Sequence, residues 1–354
     1  MTFEEFQSKT RFANLDGVRF LSISAVIWHH AIPDGVRAFP LSGRGFLGVD
    51  FFFVLSGFLI TTLLLREKSQ TGTISLRGFY LKRVLRILPV YLFVVGMVAL
   101  YYIGVKGQSD YLRLMPYYLV FMNNFLTEHI PLLSVTWSLA VEEHFYFIWP
   151  VLLVLLPIRY LLSLAVIVIL VNVAGIMGAF GGSDLRYGPL HFALPPATYA
   201  PIIMGAVLAV VLNLRQSFNL IEKALGGAAA GLMALGALIL VIWLAPQDLR
   251  GLPNLLIHSL MTLTLAALVV REDNLGLGWL QSNWVVRFGV VSYGLYLYHL
   301  IALDITTRGL SVAGINNDWL ILIVYYGISF LVADISFRTL EAYFRRFRPK
   351  HTPG

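Results

Sequence analysis

Residues 43–67 read GRGFLGVDFFFVLSGFLITTLLLRE, and from Leu47 to Leu65 the only charge is Asp50. A helix needs about 20 mostly apolar residues to cross the hydrocarbon of a bilayer. In that solvent the backbone must satisfy its own hydrogen bonds, which a helix does within one segment. The stretch is therefore read as a membrane helix. The same ruler, carried outward along the chain, predicts spans near 17–36, 45–65, 84–105, 138–157 and 160–180. Five more follow near 195–213, 223–245, 252–270, 285–308 and 318–340. The expected fold class is an all-α integral membrane protein, about ten transmembrane helices in a single bundle. It would form one membrane domain over residues 1–354 with no separate soluble domain. Residues 113–127 (RLMPYYLVFMNNFLT) are apolar but short and contain Pro116. They read as a short half-helix dipping into the outer face, where protein or water has to cover its backbone.

Composition points the same way. Of 354 residues 58% are hydrophobic and 13% charged, against about 25% charged in soluble domains. The mean hydropathy is +0.77. That excludes a water-soluble globule, a disordered chain and a nucleic-acid-binding domain, because the basic excess is spread among apolar runs. The chain has no cysteine, so a disulfide, a thiolate metal site and a cysteine acyl-enzyme are all excluded. The N-terminal residues MTFEEFQSKTRFANLDGVRF mix acidic and basic side chains, and no cleavable signal peptide is expected. With the N-terminus inside and ten alternating spans, the outer segments hold only Arg37, Arg44, Lys106, Arg113, Arg186, Arg250 and Arg308. The inner segments hold the other 19 of the 26 Lys and Arg. The bias predicts that both termini are cytosolic.

Charged and ionisable side chains inside a span cost a few kcal/mol, about 2.5–3.5 on insertion scales, and so call for an explanation. The first span, DGVRFLSISAVIWHHAIP, carries Arg19 near its inner end and His29 and His30 about three turns outward. The rise from Arg19 to His30 is about 16 Å. Neighbouring residues on a helix point about 100° apart, so at most one of the two histidines faces a given cavity. In the second span Asp50 either caps its own helix N-terminus or belongs to a site, and Ser56 with Gly57 marks a place of close helix approach. Lys82, Arg83 and Arg86 open the third span in RGFYLKRVLRILPVY. They are either a positive-inside anchor or a phosphate site, since arginine pairs bidentately with phosphate oxygens. Pro89 bends or irregularly starts that helix.

The fourth span, LSVTWSLAVEEHFYFIWPVLL, is the least expected. It places Glu142, Glu143 and His144 in succession inside an aromatic, apolar helix. Helical depth puts Glu142 level with His30 and Asp50, and a carboxylate beside an imidazole fixes its tautomer for general-base work. His299 lies near mid-membrane in the ninth span. Asp334, Arg338 and Glu341 close the tenth at the spacing of helical salt bridges. The polar groups sort by side: Arg19, Lys82, Arg83 and Arg86 inward, His30, Asp50, Glu142 and Glu143 outward. No HExxH motif, P-loop or Rossmann fingerprint occurs, and no metal is expected. The chemistry implied is a polyanionic ligand from the cytosol meeting a histidine–carboxylate base reached from the other face.

At these residues the sequence resembles the membrane-bound acyltransferase family 3, bacterial O-acyltransferases of surface polysaccharides and related acceptors. The resemblance runs from Leu15 to about Glu341 and rests on five motifs in order. Arg-x10-His matches Arg19 and His30, and so selects His30 over His29. GVDxFFVLSGFLI matches Gly48 to Ile60, with Asp50 and Ser56. Arg-x-x-Arg matches Arg83 and Arg86, followed by Pro89 and Tyr91. WSLxVEExFYxxWP matches Trp137 to Pro150, and SYxLYLxH matches Ser292 to His299.

The resemblance implies acyl-coenzyme A, with acetyl-CoA foremost, as a cytosolic donor substrate, and no permanently bound cofactor. His30 would be the catalytic histidine, with Glu142 and Glu143 as partners. Arg19, Arg83, Arg86 and Lys82 would be the donor-binding groups. Asp50, Ser56, His144 and His299 are further candidates. The acceptor would be a carbohydrate hydroxyl, or its lipid-linked precursor, served from the bacterial inner membrane. Members commonly carry Gln where this chain has His144, a change that bears on acceptor binding. Many also carry an additional periplasmic domain, which is not expected here. Two alternatives stay open: acylation of a small-molecule hydroxyl, and a proton-coupled transporter. Against the second, no paired repeats with broken helices in matching positions are visible.

Overall fold

A computed structural model describes residues 1–177, 179, 184–193, 199–249 and 251–348. Its helices are α1 (Phe3–Ser8), α2 (Leu15–His30), α3 (Leu47–Thr71), α4 (Leu76–Ala99) and α5 (Met115–Leu119). Next come α6 (Trp137–Leu155), α7 (Ile158–Ile176), α8 (Ala200–Leu212), α9 (Arg215–Leu225) and α10 (Ala230–Leu244). The last are α11 (Leu252–Val270), α12 (Asn283–Val290), α13 (Ser292–Val312), α14 (Asp318–Arg338) and α15 (Leu340–Arg345). A two-stranded antiparallel hairpin, β1 (Asp184–Tyr187) with β2 (Leu190–Ala193), qualifies the all-α expectation.

Every predicted span contains a helix, and six to eight candidate membrane spans stand among the described residues against the ten expected. Six helical stretches are long and apolar enough among the described residues. The figure rises to eight if each of two sharply bent pairs counts as one span: α8 with α9 at 106°, and α12 with α13 at 74°. The helix α2 has only 16 residues and α10 only 15, short of the usual span. Counting apolar residues cannot see that a helix stops early or turns. The protein is a multi-pass membrane protein. Arg250 and Lys350, used in the charge count, lie outside the described residues.

The predicted half-helix at 113–127 is the five-residue α5 between two 3-10 turns, Ser109–Leu114 and Asn123–Phe125. Phe121 there takes a left-handed conformation, φ 56°, uncommon for a residue with a side chain. Its ring stacks on Tyr91, with centroids 4.4 Å apart. In the third span the helix begins earlier than the apolar run does. Ser75 caps α4 by accepting the Gly78 N–H, so Arg83 and Arg86 sit two to three turns inside a continuous helix that passes through Pro89.

Small residues set the closest crossings. A Cβ on Gly57 of α3 would lie 1.8 Å from the Ile202 carbonyl oxygen, and one on Gly205 of α8 would lie 2.0 Å from the Val54 carbonyl oxygen. These two helices therefore interlock backbone to backbone, as small residues permit in membranes. Gly48 of α3 meets the Ser22 carbonyl oxygen of α2 in the same way, at 2.3 Å. With Gly45 meeting the Ala25 carbonyl oxygen likewise, at 2.1 Å, that contact shows α2 running antiparallel to α3.

Candidate active site

A cavity of about 280 Å³ opens beside the N-terminal segment and is walled by α2, α3, α4, α6 and α13. Each wall follows from helical spacing. Arg83, Arg86 and Ile87 line it from α4, Ser138, Glu142 and Tyr146 from α6, and Ser292, Tyr293 and Tyr296 from α13. Within each helix these residues stand three or four apart from a partner in the set, one face per helix. On α3 the lining runs from Arg66 to Val49, about 25 Å of helix. The cavity is therefore deep and ends among aromatic side chains. Its roof includes Tyr296, whose hydroxyl donates to the Val135 carbonyl at 2.8 Å and accepts from Ser138 at 2.7 Å.

The cations in this space differ in availability. Arg19 is held by Asp16 at 2.5 Å, and the same carboxylate binds Arg11 at 2.5 Å. Arg66 is 8% exposed and spends its guanidinium on the carbonyl oxygens of Lys9 and Phe6. Arg83 has no such anchor among the described residues: it lies over the rings of Phe79 and Tyr146, 5.6 and 5.2 Å from their centroids. Arg86 is exposed at the cavity wall. Arg83 and Arg86 are thus the guanidinium groups best placed to receive an anion. Lys82 does not line the cavity.

Glu142 belongs to this space. Its Oε1 accepts a 2.6 Å hydrogen bond from Ser56, and it faces the same cavity as Arg83 and Arg86. Glu143, about 100° round the helix, does not line it. The expected pairing of Glu142 with His30 is not what the structure builds. The Nδ1 of His30 lies 2.9 Å from the carbonyl oxygen of Val26, one turn back on its own helix. Backbone rise alone put the carboxylate level with the histidine. An arginine carries its charge at the end of a long stem, and such groups reach past their own turn.

The histidine end has its own geometry. The ring of His30 packs against that of His299, with centroids 4.8 Å apart at 66°. His29 turns the other way, toward Phe46, at 5.6 Å. His299 is fully buried, and its Nδ1 lies 2.6 Å from the Tyr296 carbonyl oxygen. A carbonyl can only accept, so Nδ1 carries the proton in both neutral rings and each Nε2 presents a lone pair. The cavity roof, His299 and His30 thus follow one another: the Tyr296 and His299 rings are 5.6 Å apart.

Two other candidates have found different partners. Asp50 accepts from Nε2 of His258 on α11 at 3.1 Å, and His258 is 3% exposed. A lone histidine inside an apolar run was the sequence signal for that partner. Asp50 also stands in the first turn of α3 without capping it. His144 donates from Nε2 to the Phe121 carbonyl at 2.9 Å, so its Nδ1 accepts from Tyr199 at 3.0 Å. Both nitrogens of His144 are spent, tying the turn at Phe121 to Tyr199 at the start of α8. Asp16, Ser138 and Tyr296 were also missed. Asp16 was legible as the i,i+3 partner of Arg19, whereas the other two owe their place to the packing of α6 against α13.

The fold and the site define a multi-pass membrane protein with a cavity lined by arginines, next to a half-buried His30 packed on a fully buried His299. The acyltransferase domain family matches residues 12–338, and the chain belongs to that family. Among its relatives, the peptidoglycan O-acetyltransferase OatA of Listeria monocytogenes is 26% identical over 379 residues, covering 97% of this chain and 59% of the relative. The Bacillus subtilis protein named "Putative peptidoglycan O-acetyltransferase YrhL" is 28% identical over 372 residues, covering 96% of this chain and 56% of the relative. The chain thus spans about 60% of the length of the curated relatives it matches. No solved structure matches it.

Proposed function

We propose that this domain is a membrane-embedded O-acyltransferase that moves an acetyl group from acetyl-coenzyme A to a hydroxyl of a cell-envelope glycan. Coenzyme A offers a pyrophosphate and a 3′-phosphate, and phosphate groups suit guanidinium forks. Arg83 and Arg86 receive them, with Arg19 held nearby by Asp16. The cavity mouth lies in the cytosol and the thioester reaches upward beneath Tyr296. His30 takes the proton from the attacking hydroxyl at Nε2, since its Nδ1 is committed to Val26. General-base catalysis of this kind contributes about 10²–10⁴-fold. The proton then goes to the departing thiolate, so acyl transfer needs no other reactant. Glu142, bonded to Ser56, balances the guanidinium charge in the cavity and is not the partner of His30. The names of the relatives support an acetyl group and a peptidoglycan acceptor.

The single observation carrying this reading is one deep cavity with free guanidinium groups along it and a histidine pair beyond its roof. The test is radiolabelled acetyl-CoA added to inverted membrane vesicles of the source cell. Label in the glycan fraction that depends on this protein and on His30 supports it. Label independent of the protein, or binding of acetyl-CoA unchanged in Arg83→Ala and Arg86→Ala, defeats it.

A further inference from the structure

A histidine that works as a base is commonly steadied by a carboxylate on its other nitrogen, which stabilises the imidazolium formed during the reaction. His30 has a backbone carbonyl there instead. What it has beside it is His299. We infer that His299 is a positioning residue for His30: its Nε2 accepts the Nε2–H that His30 acquires from the substrate hydroxyl. This rests on the reading of His30 as the base.

Three observations carry the inference. His299 is 0% exposed, and its Nε2 is buried with no hydrogen-bond partner among the described residues. A buried acceptor left unsatisfied is costly, so a partner arriving during turnover relieves a standing penalty. The Nδ1 of His299 is held by the Tyr296 carbonyl at 2.6 Å, which makes its Nε2 an acceptor and nothing else. Tyr296 is in turn pinned through its hydroxyl to Val135 and Ser138, so the ring stands on a fixed turn. Finally, the two rings lie in direct contact, with centroids 4.8 Å apart at 66°. In the resting state the two Nε2 atoms are both lone pairs and cannot bond each other. One proton on His30 satisfies both.

The chemistry balances. The hydroxyl oxygen forms a C–O bond with the thioester carbonyl carbon, and the C–S bond breaks. The hydroxyl proton moves to His30 Nε2, where the lone pair of His299 holds it, and then to the thiolate sulfur.

Histidine analogues separate this role from scaffolding. His299→Asn keeps a donor at the Nδ1 position and lacks the Nε2 acceptor, whereas His299→Gln supplies an oxygen near the Nε2 position. In the inverted-vesicle assay with acetyl-CoA, His299→Asn should lower kcat roughly 10–100-fold with KM for acetyl-CoA within about twofold. His299→Gln should recover part of that loss. Wild-type kcat in His299→Asn overturns the inference, as do equal losses in both variants or a loss confined to KM or protein abundance. His30→Ala, run alongside, tells the two failures apart. Full activity in His30→Ala defeats the base assignment itself, while an inactive His30→Ala with a normal His299→Asn defeats only the role of His299.

Discussion

The two ends of α2 solve the problem of a polar group in a membrane in opposite ways. At the Arg19 end, charge is gathered and neutralised: Asp16 binds both Arg11 and Arg19, and the cavity provides room for an incoming anion. At the His30 end, backbone carbonyls take the ring N–H groups of His30 and His299, and no carboxylate is bonded to either ring among the described residues. The first arrangement suits binding of a charged ligand and the second suits moving one proton. A carboxylate fixed beside the histidines would have to be desolvated when the protein folds, at a cost of several kcal/mol per ion.

The largest expected effect would break the comparison outright if it failed. His30→Ala should lower acyl transfer by about 10²–10⁴-fold, whereas His29→Ala, facing Phe46, should stay within about twofold. Both are scored as glycan acetylation at equal membrane abundance. If His29→Ala is the inactive one, the proton-handling end has been put on the wrong helix face.

Next comes the charged end. Arg83→Ala and Arg86→Ala should each weaken acetyl-CoA binding by roughly 10–100-fold, the worth of a charge-assisted hydrogen bond, measured by calorimetric titration. Lysine at either position should restore only part, because the fork geometry is lost. Lys82→Ala, outside the cavity wall, should leave affinity within about twofold.

A smaller change sharpens where Glu142 belongs. Ser56→Ala removes its 2.6 Å partner, and should cost about 1–2 kcal/mol, a fall in melting temperature of about 2–4 °C. Donor affinity should shift with it, because Glu142 shares the cavity with the arginines. A shift in turnover alone would return Glu142 to the histidine end. The smallest effect is expected at His144. His144→Gln can still donate to Phe121 and accept from Tyr199, and should change melting temperature by under about 2 °C. His144→Leu, which can do neither, should lower it more.

Most of the site was legible as a set of residues and much less as a set of pairs. Arg19, Arg83, Arg86, Ser56 and Glu142, all singled out in the sequence, line one cavity, and His30 meets His299 outside it. Which partner each chose was not legible. Asp50 went to His258, 208 residues away, and Glu142 went to Ser56 instead of His30. Hydropathy registers apolar length, whereas the short α2 and α10 and the bends after α8 and α12 appear only in the structure.

The sequence by itself determined that the chain lives in a bilayer, because 58% apolar residues in long runs have no other solvent. It also determined which residue types meet on one face of each helix, because three- and four-residue spacing is a property of the helix alone. Only the tertiary structure decided which faces meet. Antiparallel α2 and α3, locked at Gly48, and α13 packed beside them bring His299 to His30 and leave Glu142 with the arginines. Hydrogen bonds between side chains act over about 3 Å. A pairing is therefore settled by the height and rotation of whole helices, quantities fixed by close packing and not written in any one helix.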